Sequence, residues 1–315
     1  MVLEKILETC QYVVDNSQHV KINYAKTDEL ITELLEFDNT HYLAKVPYKI
    51  YEMDTKDIIN FILIYDAIDF SFWGNPKWTI ETNGQELDGG MALLHCIYNL
   101  FAGKNSEDVY KELATITLDD FKEILKGNVE IPLLKERYEI VKSIAKIVNE
   151  KMHSNFYDYV KDLKIDKDIF ELILQNFSNF EDIREYKEKI IYLYKLAQLL
   201  TSDILHVIEN KEKVEMDYTN LVGCADYKIP QVLQGLGILE YDEELSRMIE
   251  NKTPITESSA YEVEIRANLI IVINHIWLQI NQTLNRIDVN DFIWTKGQDK
   301  TKTYQPYHLT RTINY

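Results

Sequence analysis

Helix breakers are what this chain lacks. Its 315 residues include only 10 glycines and 6 prolines, and nowhere do these gather into a linker. Glycine and proline are the commonest stops for a helix, so their scarcity leaves long stretches free to follow a 3.6-residue period. Asp57 to Ile68 places Ile58, Phe61, Ile62, Tyr65 and Ile68 on one stripe. Arg184 to Asn210 reads as one long helix with Ile190, Ile191, Leu193, Tyr194, Ala197, Leu200, Ile204 and Leu205 inward. Ser259-Ala260-Tyr261-Glu262 reads as a capping box opening an apolar helix to about Leu284. Helices also follow over residues 2–15 and 27–36, from Asp88 to Gly103, and from Pro132, as first helical residue, to Lys151. Lys77 to Asp88 alternates instead, and Asn83-Gly84 is a favoured hairpin turn. The expected fold is all-α: one helical domain over residues 1–315, with a small β-hairpin near 77–88.

Lys and Arg total 34 against 52 Asp and Glu, a net charge of −18. So acidic a chain repels phosphate backbones, and nucleic-acid binders carry a basic footprint. Direct nucleic-acid binding is therefore not expected, although a local basic pocket can still hold a mononucleotide. The three cysteines, Cys10, Cys96 and Cys224, are odd in number and far apart, which fits neither a disulfide framework nor a zinc site. No metal and no cofactor is expected. The opening MVLEKILETC is charged and helical, unlike a signal peptide. The apolar run Leu269–Ile273 is far too short to span a bilayer. The expectation is a cytoplasmic monomer with no membrane partner.

Uncommon residues converge at Asn220 to Tyr241, NLVGCADYKIPQVLQGLGILEY. Ile229, Val232, Leu233 and Leu236 make a buried helix stripe that Gly235 and Gly237 end, so Asp226 stands at a helix start among small and apolar neighbours. On physics alone the first reading of Asp226 is a helix cap, worth about 1 kcal/mol. Phe70, Phe72 and Trp73 form either an aromatic core plug or a stacking wall for a flat heterocycle. Taken singly, His19 reads as a surface or capping histidine and Lys195 as a solvated lysine off the helix stripe. His308 and Arg311 belong to a frayed tail or close a phosphate site. Glu264 and Arg266 read as braces between helices, with Glu262 and Arg266 an i, i+4 pair.

The segment CADYKIPQVLQGLGILEY resembles the signature of the queuosine salvage proteins, the queuosine 5'-phosphate N-glycosylases. Blocks at 18–22 (QHVKI), 69–73 (DFSFW), 131–137 (IPLLKER), 194–198 (YKLAQ), 262–267 (EVEIRA) and 306–311 (PYHLTR) agree in order and spacing. The resemblance covers nearly the whole chain and implies a helical fold similar to the helical DNA glycosylases. It implies hydrolysis of an N-glycosidic bond, with queuosine 5'-phosphate and water giving queuine and ribose 5-phosphate. Asp226 becomes the catalytic carboxylate. His19, Phe70, Phe72, Trp73, Cys224, Tyr227, Asn290, Asp291 and Thr295 become substrate contacts, and Lys195, Lys228, His308 and Arg311 a phosphate site. The chain departs from the family at two places. Where the family carries acid, tyrosine and a second acid around a C-terminal tryptophan, this chain has Asn290, Asp291 and Thr295 around Trp294. Cys224 stands where Phe is frequent. A non-catalytic binding protein for a modified purine nucleotide remains the alternative.

Overall fold

The computed structural model describes residues 2–299 and 301–315. Fifteen α-helices carry the architecture among these residues, joined by three two-stranded antiparallel sheets. The helix Ala260–Gln279 is buried without a break from Glu262 to Ile273. Its apolar residues pack against the helices Val2–Asn16, Lys228–Gly235 and Arg286–Lys296. A second buried helix, Thr55–Ala67, is covered from Ile58 to Ala67 and crosses Lys195–Glu212 and Gly89–Phe101. No helix among the described residues is long and apolar enough to cross a membrane.

The hairpin near 77–88 forms, with Thr79–Thr82 paired to Gln85–Asp88 and both Asn83 and Gly84 at positive φ. Two further sheets were not foreseen. One pairs Val20–Ile22 with Leu239–Tyr241, so the N-terminal segment lies beside the end of the 220–241 stretch. The other corrects the long helix expected from Arg184. Ile183–Tyr186 and Lys189–Tyr192 form a hairpin, and the helix begins only at Lys195. Lys187 and Glu188 turn that hairpin at φ 47° and 65°, a backbone usually signalled by Asn or Gly, and both are good helix formers. Similarly, Pro132 does not open its helix. Leu133 takes a left-handed φ of 56° and the helix runs Leu134–Lys151.

One buried ion network holds the centre. Arg266 donates to Asp182 at 2.6 Å and to Glu262 at 3.0 Å, while Arg184 reaches the other oxygen of Glu262 at 3.2 Å. Glu264 accepts from the amides of Gln18, His19 and Val20 and from the hydroxyl of Tyr186. Glu264 and Arg266 thus brace elements distant in sequence. Removing one partner of such a buried network leaves an uncompensated charge, so the helix Ala260–Gln279 is fixed to its neighbours by polar as well as apolar contacts.

Candidate active site

The extended segment before Asp226 has no sheet partner, and side chains from separate helices satisfy it instead. Asp166 accepts from the amides of Asn220 and Leu221 at 2.6 and 2.9 Å. Gln198 accepts from Val222 and Gly223 at 2.9 and 3.3 Å. Asn290 accepts from Cys224 at 2.8 Å, and Arg266 donates to the carbonyl of Ala225 at 2.8 Å. The backbone conformation of Gly223 favours glycine. Its φ is +119°, and a Cβ there would meet Ile273 at 2.7 Å. Held at each step, the segment delivers Asp226 to one position.

Asp226 Oδ1 accepts from the amides of Lys228 and Ile229 at 3.0 and 2.8 Å, capping the helix Lys228–Gly235. No described protein group bonds Oδ2, and the residue lines a cavity of about 450 Å³. The helix cap and a cavity-lining carboxylate are therefore one residue. Burial pushes its pKa up to about 6, against the pull of the two amides and of Lys195 and Lys228. Lys195 is 6% exposed, and its Nζ donates to both the carboxylate and the carbonyl of Asp69, each at 2.9 Å. Aromatic rings of Phe72, Tyr227, Trp294 and Tyr307 line the same cavity. Asp203 and Asp291 line it too, and burial pushes each up to about 7. Asp203 accepts from Tyr42 at 2.5 Å and stands 3.2 Å from Nε2 of His41. Asp291 accepts from Asn290 at 3.0 Å.

A family model described as queuosine salvage protein matches residues 49–315. The chain belongs to the queuosine salvage protein family. A relative from Sphaerobacter thermophilus, named queuosine 5'-phosphate N-glycosylase/hydrolase, is 31% identical over 98% of this chain and 97% of its own length. Relatives of the same name from Bos taurus and Schizosaccharomyces pombe are 26% and 23% identical, over 98% and 96% of this chain and 98% and 94% of their own lengths.

The salvage-family expectations divide on geometry. Phe72, Cys224, Asp226, Tyr227, Asn290, Asp291, Thr295, Lys195 and Lys228 all line the cavity. Five others lie off it. His19 bonds Asp242 at 2.6 Å and packs on Tyr261, behind the 239–241 strand. Phe70 is fully buried beneath the Arg137 guanidinium, 4.3 Å from its ring. Trp73 donates to the carbonyl of Thr310 and lies under Arg311 at 3.5 Å. Arg311 itself donates to the carbonyls of Ser71 and Trp73. His308 is buried against Tyr315, and burial pushes its pKa down to about 3, leaving it uncharged at neutral pH. The tail is therefore ordered: Ser71 donates its amide to the carbonyl of Tyr315, and that last ring lines the cavity. Sequence reading passed over Asp69, Asp203, Tyr42, Lys77 and Tyr307 as lining residues. Asp69 and Tyr307 sit inside the matching blocks, so position could have flagged them; Tyr42 and Asp203 carry no local signal.

Proposed function

We propose that this chain hydrolyses the N-glycosidic bond of queuosine 5'-phosphate, releasing queuine and ribose 5-phosphate. The observation that carries the reading is Asp226: a buried carboxylate that lines an aromatic-walled cavity, with one oxygen fixed by two amides and the other free of protein hydrogen bonds. As the bond from C1' to the base breaks, its electron pair leaves with the base and the sugar gains oxocarbenium character. A carboxylate already in place stabilises that cation without reorganising, and it does so more strongly in a poorly solvated site. Water then supplies hydroxyl to C1', and its proton balances the departing base. Phe72 and Tyr227 supply stacking faces. Asp203 and Asp291 supply acceptors for the secondary ammonium of queuine, whose arrival would pull both carboxyls back toward their ionised forms. With Asn290 and Thr295 in place of two acids, discrimination against other purine-like bases is expected to be weaker than in a two-acid site.

The substrate in this reading is the free nucleotide, taken up by a cytoplasmic monomer; the −18 net charge argues against tRNA. The test is incubation with queuosine 5'-phosphate, its nucleoside, GMP and intact modified tRNA, with released base followed by chromatography. Base release from the nucleotide, lost by about 10²–10³ or more in Asp226→Asn, is expected. Asparagine caps a helix as well as aspartate does, so the variant should keep the parent melting temperature. Tight binding without release would make the chain a nucleotide-binding protein, and equal rates on GMP would overturn the choice of base.

A further inference from the structure

Residues 301–307 form part of the cavity wall without belonging to a helix or strand; Lys302, Thr303, Tyr304 and Tyr307 line it. The amides of Thr303, Tyr304, Gln305 and Tyr307 donate to no protein acceptor among the described residues. A segment with no backbone bonds to the body rests on side-chain contacts, and such segments open most readily. Its ends are fixed. The helix Arg286–Lys296 is capped at Gly297, and Leu309 accepts from the amide of Ile255 at 2.7 Å.

Between those ends the segment is seated on the helix that Asp226 caps. Tyr307 packs on Tyr227 with ring centres 4.8 Å apart, and Lys228 Nζ lies 5.3 Å from the Tyr307 ring. Gln231 donates to the carbonyl of Gln305 at 2.6 Å. One turn further, Tyr304 lies so close to Gly235 that a Cβ there would come within 2.3 Å of its ring. Residues 228, 231 and 235 share one stripe of the helix. Gly235 has no backbone need to be glycine: it is helical, and Gly237, at φ 70°, is the residue that ends the turn. Alanine would favour the helix, so what glycine supplies at 235 is a notch that receives Tyr304. The Tyr304 hydroxyl is buried in that seat with no hydrogen-bond partner among the described residues, which counts against the seated position.

We propose that residues 301–307 are a strap that opens to admit the nucleotide and shuts over it, with Tyr304 in the Gly235 notch as its latch. The identity of that ligand rests on the glycosylase reading above. Seated, the strap keeps bulk water from the wall beside Asp226, and a carboxylate acts more strongly on a developing cation where bulk water is excluded. Tyr304 is a positioning residue in this account: it fixes the wall and leaves the chemistry to Asp226.

The notch itself allows a direct test. A Cβ on Gly235 would lie 3.4 Å from Cγ of Tyr304. One further bond of about 1.5 Å puts the two Cβ atoms within about 5 Å, a spacing that a disulfide can close. The three native cysteines are buried, so oxidation of the double variant Gly235→Cys/Tyr304→Cys is expected to join the two new thiols, counted by thiol titration. Binding of queuosine 5'-phosphate by stopped flow and base release are then compared with the staple oxidised and reduced. Oxidation should slow association and lower kcat/KM about tenfold or more, and reductant should restore both. Gly235→Ala, which fills the notch, should keep the parent melting temperature while speeding dissociation and raising KM about tenfold. A staple that does not form, or one that leaves association at the reduced rate, overturns the strap. An unchanged KM in folded Gly235→Ala overturns Tyr304 as its latch. Association that follows the staple with no base released from any substrate overturns the glycosylase reading and leaves the strap standing; a parent protein that binds no nucleotide overturns both.

Discussion

One oxygen of Asp226 caps a helix and the other is free of protein hydrogen bonds, and in the proposed reaction that division sets its pH behaviour. Only the ionised form can stabilise a developing cation. Because burial raises its pKa to about 6, kcat/KM should rise as pH increases through about 6 and fall tenfold per unit below it. Lys195 holds that value down, so Lys195→Met should move the acid limb to higher pH, a shift read directly from the pH–rate profile. An acid limb that stays put would separate Lys195 from the carboxylate. At this scale the sequence was informative where a residue's partners are its neighbours: the amides that Asp226 caps lie two and three residues on. It was uninformative for His19, Trp73 and Arg311, whose partners are Asp242, Thr310 and the carbonyls of Ser71 and Trp73. A histidine or arginine looks the same in a string of letters whether its hydrogen bonds are spent on a neighbour or left for a ligand.

Among the elements, the turn at 68–73 shows how one wall of the cavity is held. Arg137 is fully buried; it donates to the carbonyls of Pro132, Ile68 and Phe70 and stacks 4.3 and 4.8 Å from the rings of Phe70 and Phe72. Ser71, at φ 43°, is held from the other side by the C-terminal residues, its hydroxyl donating to the carbonyl of Thr312 at 2.7 Å. Arg137→Met should take the side-chain donor from the carbonyls of Phe70 and Pro132, the Ile68 carbonyl keeping the Phe70 amide, and cost about 3 kcal/mol, measured by urea unfolding. KM should rise as Phe72 loses its support. Lysine should restore little, since it cannot present the planar fork. The two local hairpins differ in legibility for a physical reason. Asn83-Gly84 advertises its turn, whereas Lys187-Glu188 adopts the same left-handed backbone with residues that favour helix. The sheet between 20–22 and 239–241 joins ends far apart in the chain, and no local pattern encodes such a pairing.

For the whole molecule, low glycine and proline content foretold a mainly helical fold, and the fifteen helices among the described residues bear that out. What composition could not supply was the assembly of the cavity. Its wall draws on stretches within 37–45, 65–91, 195–203, 224–231 and 287–307, together with Tyr315. Long-range contacts of this kind form late, because loop closure must precede them. Turnover is therefore a sensor of completed folding. After dilution from denaturant, helix signal in the far ultraviolet should return first and base release should trail it, with no fragment lacking either end regaining activity on its own. Simultaneous recovery of both signals would mean that the cavity is built in the same step as the helices around it.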